Sequence, residues 1–440
     1  MFSGIFNYIR CNRIYIIMAV MVIACVFATI SFGQITYFVA MGATFVYCAY
    51  KNQQFEGLFA SFLIWIMFGM VMNNVFPIQY AYFVLMIACA SPMFSSYKAF
   101  VYRTRLLYAL CLILPIVTIL NLYAYQKGVN MYIEIMTLER VAAYNFSGYL
   151  HHPMWLAAIN GMSNVTLLYL FYKLKDSNWW IKVTIVVLLV LSLYLSVVAA
   201  SRAALSASLL AMAVMIYFQS RTSGKLVRSV VVIGLLAYLF VPFITSNSTA
   251  MQTKIAAENR GEGSSRDIAW GQRIDEFKES PIWGIGFATA HSLEGWKYTG
   301  KVETGSGWLA ILSQTGLVGA LFFLIFFRRA AITVAEIKEE GGLLILFSCI
   351  FIYLCAHSVF EGYIYTAGYC PCMFFWLTLS FFYEYNKYGY PEEVEDPMIV
   401  YEEDDEEEDD DDENDEEDEL EGESENHEEY RPKRLSSQYV

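Results

Sequence analysis

Runs of about 20 mostly apolar residues recur along this chain, and that is the length a helix needs to cross a hydrocarbon layer. They lie near 14–30, 35–50, 55–72, 75–94, 106–125, 154–172, 180–198, 203–218, 227–245, 307–327, 343–357 and 363–383. In lipid every backbone N–H and C=O needs an internal partner, so such runs fold as helices packed against one another. The fold class this predicts is an all-α polytopic membrane protein with about twelve transmembrane helices. The 35–50 and 203–218 runs are short enough to be half-spans.

Composition sharpens the picture once the charge is divided. Charged residues make up 16% of the chain and hydrophobic ones 57%, against roughly 25% charged in soluble proteins. The net charge of −14 splits unevenly: residues 1–391 hold 26 Lys+Arg and 17 Asp+Glu, whereas 392–440 hold 3 and 26. A weakly basic, apolar body (1–390) thus precedes a polyanionic segment (391–440) whose composition predicts disorder. A soluble enzyme and a basic nucleic-acid-binding domain are both excluded. The nine cysteines sit almost entirely in the apolar runs and do not read as a disulfide framework. Cys370-Pro371-Cys372 lacks the second ligand pair that a zinc site requires. The first run follows Arg10 and Arg13 as a signal peptide would. It has no small-residue cleavage site and leads into another apolar run, so it reads as a retained helix.

Basic residues orient the spans, because short cytoplasmic loops are rich in Lys and Arg. With the N-terminus inside, cytoplasmic segments carry Arg10 and Arg13; Lys51; Lys98, Arg103 and Arg105; Lys173, Lys175 and Lys182; Arg221, Lys225 and Arg228; and Arg328, Arg329 and Lys338. The external 31–34, 73–77 and 358–362 connections carry none, whereas Lys127 and Arg140 at 126–153 and Arg202 at 199–202 break the pattern. The long 246–306 loop holds seven basic residues, but long loops translocate largely regardless of charge. Both termini are then cytoplasmic, with a large external loop at 246–306 between spans nine and ten. The spans themselves hold almost no charge, and no inverted pair of broken helices is visible.

Polar groups at the outer side are the functional candidates of such a body. Arg202, in Ser201-Arg202-Ala203-Ala204, occupies a tight external turn. It is either an arginine snorkelling to headgroups or an anion ligand, since its planar fork donates two hydrogen bonds at once to a phosphate. In the loop, Ser264-Ser265 can cap a helix from about Arg266 to Glu279, stopped before Pro281. Arg266, Trp270, Arg273 and Phe277 share one face by their spacing. That face suits the membrane surface, or the helix simply packs on the bundle. Glu303 stands at the mouth of the tenth span, either as a general base or paired with Lys297 or Lys301. His357 and Glu361 are four apart at the end of span eleven and read as a hydrogen-bonded helix end more readily than as a metal pair. His151-His152-Pro153 opens span six, where proline suits the first turn.

These residues together resemble the O-antigen ligase and polymerase superfamily of bacterial membrane proteins. The likeness rests on Ser201-Arg202, on Arg266-Asp267-x-x-Trp270, on Pro281-Ile282-Trp283-Gly284-Ile285-Gly286-Phe287, and on the 303–319 stretch ending in Gln314-Thr315-Gly316-Leu317-Val318-Gly319. It covers about 195–330. The resemblance implies transfer of a glycan from a polyprenyl diphosphate carrier to an acceptor sugar hydroxyl, at the outer face of the cytoplasmic (inner) membrane. No metal, nucleotide or other cofactor is implied. The partners would be the lipid-linked glycan, a glycan or lipid A–core acceptor, the bilayer, and other polysaccharide-assembly proteins. By position, Arg202 and Arg266 would neutralise the diphosphate with support from Arg273, and Glu303 would activate the acceptor. Arg260, His291 and His152 complete the implied substrate-binding set. Many ligases of the family place His, often followed by Asn, where this chain has Glu303-Thr304, which tilts the expectation toward a polymerase.

Two other classes of function compete with this one. A transporter or flippase of a lipid-linked glycan would also have about twelve spans, but should place charges within several of them. A structural or sensory protein would explain the acidic tail and leave the loop arginines idle.

Overall fold

The computed structural model describes residues 12–24, 26–27, 33–49, 54–131, 146–174, 176–219, 265–289, 305–337, 342–366 and 370–391, with Gln252, Ala256 and Val394. Its elements run α1 (Arg13–Ala24), α2 (Gly33–Ala49), β1 (Gln54–Phe55), α3 (Gly57–Met72), α4 (Ile78–Ala90), β2 (Phe94–Ser95), α5 (Tyr97–Lys127), α6 (Pro153–Lys173), α7 (Trp179–Val198), α8 (Arg202–Gln219), α9 (Ser265–Glu279), α10 (Gly307–Glu336), α11 (Leu343–His357), a 3-10 turn (Tyr363–Tyr365) and α12 (Cys370–Tyr388). The two strands form one short antiparallel ribbon, Gln54 opposite Ser95.

By length and composition α5, α6, α7, α8 and α10 can cross a membrane, while α1–α4 and α11 are apolar but shorter. The chain is thus a multi-pass helical membrane protein. The expected span at 227–245 and most of the 246–306 loop lie outside the described residues, as does nearly all of the 391–440 segment. A helix apolar all round is buried among others or faces lipid, and both cases occur. α11 and α12 are buried along almost their whole length. They meet α10 and α3 in an aromatic core in which Trp376 packs against Phe62, Phe323 and Phe326. α7 instead leaves Val183, Val186, Val187 and Val190 exposed, as a lipid-facing helix would.

Three expectations change. The basic-residue alternation predicts Lys98, Arg103 and Arg105 in a connecting loop. They lie inside α5, whose N-terminus is capped by Ser96 accepting from the Ala99 N–H. Arg103 is 2% exposed and bonds both carboxylate oxygens of Glu384 on α12, at 2.6 and 2.7 Å. Ser95 and Ser380 donate to the same carboxylate. The bundle therefore does contain charge, and that charge is paired. Removing one partner of a buried ion pair strands the other, at about 3 kcal/mol or more. Glu384→Ala is accordingly expected to lower the melting temperature of the purified protein sharply. The double change Arg103→Met with Glu384→Leu should recover most of the loss, and failure to recover would mean the hydroxyls around the carboxylate matter more than its charge.

The run at 363–383 does not begin as a helix. It opens with the 3-10 turn, and α12 starts at Cys370 with Pro371 in its first turn, where a missing N–H costs nothing.

The tenth run is the largest correction. α10 is broken at Gly316, which has φ 67° and ψ −172°. On a continuous helix Trp308 and Phe327 would stand about 28 Å apart at a rise of ~1.5 Å per residue, yet their rings lie 5.0 Å apart. The 307–315 arm therefore folds back on the 317–336 arm. Nine residues reach only about 13 Å, so the second arm alone, about 30 Å long, has the length to span.

Candidate functional site

The break in α10 leaves peptide groups without helical partners, and the Pro281–Phe287 segment supplies them. The N–H groups of Leu317 and Val318 donate to the carbonyls of Pro281 and Ile282, at 2.8 and 3.4 Å. In return, Ile285 and Gly286 donate to Ser313 and Gln314 at 2.9 and 3.1 Å. The Trp65 indole N–H takes the Thr315 carbonyl at 3.0 Å. Irregular backbone at membrane depth is tolerated only when satisfied by protein in this way. The approach is close enough to require glycine: a Cβ on Gly284, at φ +73°, would fall 2.3 Å from the Gln314 carbonyl carbon. The Gly-x-Gly of this segment thus fills a helix break, and the sequence had shown it only as a turn.

α9 follows the predicted boundaries within a residue, but it packs along α10 rather than lying free in an interface. Its buried side carries Arg273 and Glu276, at 2% and 1% exposure, and Ile274 points the other way, 45% exposed. The Arg273 Nη1 donates to Glu276 Oε2 at 2.8 Å and to the Thr289 carbonyl at 3.1 Å. Gln314 reinforces the same loop, its Nε2 donating to the Thr289 carbonyl and its Oε1 accepting from the Ala288 N–H. Burial lowers the pKa of Arg273 and Glu276 opposes that shift; a guanidinium stays charged throughout. Arg273, implied above as a supporting diphosphate ligand, is buried and ties the 285–289 loop to α9 through the Thr289 carbonyl.

Arg266, two turns earlier on α9, is placed differently. Its Nη2 is ion-paired with Glu361 Oε1, and the two side chains are 24% and 18% exposed. Its Nη1 donates to the Gly305 carbonyl at 3.3 Å, which also accepts the Trp270 indole N–H at 3.1 Å. Sharing one helix face, as their spacing predicted, Arg266 and Trp270 converge on a single acceptor. The Phe360 ring lies 5.9 Å from the guanidinium carbon and 5.8 Å from the Trp270 ring. Next to it the Gly307 N–H donates to the carbonyls of Ser358 and Glu361, at 2.8 and 3.1 Å. Ser306 caps α10, and Trp308 donates to the Cys355 carbonyl at 3.2 Å. Three separate stretches (266–270, 305–308 and 355–361) are thereby laced into one cluster.

Glu303 is two residues before Gly305 and lies outside the described residues, as do Arg260 and His291. Arg202 opens α8 with an exposed side chain, in a turn whose Ser201 hydroxyl accepts from the Ala204 N–H. His152 caps α6, its Nδ1 accepting from the Met154 N–H at 3.1 Å. His357 is fully buried, with Tyr353 Oη 3.4 Å from its Nδ1. Among the described residues no group of three His, Cys, Asp or Glu side chains comes together to hold a metal ion. An apolar groove of about 510 Å³, lined by Trp308, Val334, Phe351, Cys355 and Val359 among others, runs beside the cluster between α10 and α11. Its rim residue Val359 adjoins Phe360 and Glu361 in the chain.

Sequence reasoning singled out Glu361 only as a partner for His357, took Gln314 only as part of a motif with no role of its own, and passed over Glu276. Nothing in the spacing along the chain signals a contact from residue 361 to residue 266. Residues 184–324 match the family described as O-antigen ligase. No curated protein matches the chain.

Proposed function

We propose, from the match of residues 184–324 to the O-antigen ligase family, that the chain is a membrane glycosyltransferase that moves a glycan from a polyprenyl diphosphate to an acceptor sugar hydroxyl, as a polymerase rather than a ligase. The observation that carries this reading is Arg266, which is half-buried at an accessible rim, oriented by two acceptors, and tied to the segment that follows Glu303. Arg266 and Arg202 neutralise the diphosphate where charge develops in the transition state. Glu303 takes the proton of the acceptor hydroxyl while that oxygen bonds to the sugar's anomeric carbon. The bond from that carbon to the diphosphate breaks, and the carrier leaves with the electron pair. The apolar groove beside the cluster fits the first units of the polyprenyl chain. The reaction takes place at the outer face of the cytoplasmic membrane, with both termini cytoplasmic, and the Glu303-Thr304 step in place of His-Asn favours a polymerase.

A transporter reading draws on the broken helix, since discontinuous helices line many transport sites. Here the break is filled by the 281–286 backbone, and Arg103 and Glu384 pair with each other inside the bundle. Both observations favour chemistry over transport.

Glu303→Gln is the direct test. In cells that make the polymer, a variant present in the membrane at wild-type level is expected to reduce the glycan ladder to single repeat units. Full-length polymer retained on its lipid carrier would identify a ligase instead. An unchanged ladder would remove Glu303 from the mechanism.

A further inference from the structure

Three ion pairs that carry an arginine among the described residues divide by exposure. Arg103–Glu384 and Arg273–Glu276 are sealed, at 2% and 1% in each case. Arg266–Glu361 is open to a ligand, at 24% and 18%. A carboxylate on a guanidinium occupies the N–H donors that a phosphate oxygen would use. Glu361 is held at that place by more than its charge: its own carbonyl accepts the Gly307 N–H, and the neighbouring Phe360 ring lies against the guanidinium.

A membrane surface offers any exposed arginine an excess of phosphodiester headgroups, each with one negative charge. The diphosphate of a lipid-linked glycan carries two. An arginine already paired with a carboxylate exchanges it poorly for a single charge and well for a double one. We propose that Glu361 is the positioning and specificity-determining residue of the diphosphate site. It holds Arg266 toward the 305–307 segment in the unloaded protein and yields the guanidinium to a diphosphate, while excluding ordinary phospholipid phosphates. The inference rests on Arg266 being the diphosphate ligand, and the test separates the two.

The full chain, purified in detergent, is titrated with inorganic pyrophosphate and with dimethyl phosphate as a single-charge phosphodiester. Glu361→Gln is expected to tighten pyrophosphate binding about fivefold, the scale of a partly exposed ion pair, and to tighten dimethyl phosphate binding more, so that discrimination falls. A purely structural role for Glu361 would move neither ratio upward. If the Gln variant melts like the wild type and its affinities are unchanged or weaker, while Arg266→Ala abolishes pyrophosphate binding, the Glu361 assignment alone is overturned. If Arg266→Ala leaves pyrophosphate binding intact, Arg266 is not the anion ligand and both readings fall. Should the Gln variant not fold, Glu361→Asp keeps the charge with a shorter reach. It is then expected to tighten pyrophosphate binding about twofold, and no change there counts against the proposal.

Discussion

Arg266→Ala is expected to slow glycan transfer by about 10²- to 10³-fold, the usual cost of removing one preorganised donor aimed at developing charge. The structure gives reasons for an effect of that size. The guanidinium is oriented in advance by the Gly305 carbonyl and Glu361, so in the proposed reaction little is spent on ordering it as the diphosphate leaves. It also sits against the Phe360 ring, where water is partly excluded and charge interactions are stronger. Arg266→Lys should fall between the two, because an ammonium keeps the charge and loses the planar fork. Measuring transfer in isolated membranes, normalised to the amount of protein, separates this from a folding defect. A loss below about tenfold would mean that other loop arginines carry the diphosphate and that Arg266 mainly braces the 305–307 segment.

What the sequence made legible follows from what periodicity and local spacing report. The helices α5–α8 and the start of α6 at Pro153 came from apolar length and end signals, which are local. The common face of Arg266 and Trp270 came from their i, i+4 spacing on α9, local as well. Three things were not local. Arg103 and Glu384 are 281 residues apart in the chain, so Arg103 read as one more positive charge in a loop. The exposure of Arg273 could not be told from that of Arg266, since both share the face and only the packing of α9 on α10 buries one of them. The apolar run at 307–327 looked continuous because hydropathy does not register a backbone reversal. Gln314-Thr315-Gly316 and Pro281–Phe287 were each noticed, but their interlock forms only in three dimensions.

That interlock carries the largest structural prediction. Gly316→Ala is expected to cost at least about 4 kcal/mol and to leave little protein in the membrane. At φ 67° and ψ −172° the backbone lies in a region essentially reserved for glycine, and a side chain there costs about 1–3 kcal/mol of strain. A Cβ would also meet the Ile282 carbonyl oxygen at 2.2 Å and the Gly284 nitrogen at 2.6 Å. Both belong to main chain that cannot rotate aside. Relief would require withdrawing the 281–286 segment, which forfeits its backbone hydrogen bonds to α10 at about 1 kcal/mol each and strands their partners. The same segment bears on the site through Ala288 and Thr289, which hold Gln314 and Arg273. Any Gly316→Ala protein that does accumulate should therefore have lost activity along with stability. A helix straightened by the alanine would show as a Trp308 environment changed toward solvent or lipid, because Trp308 meets Phe327 only while the two arms are folded together. Normal accumulation, activity and tryptophan emission in Gly316→Ala would mean that the reversal tolerates a side chain and that glycine is not what permits it.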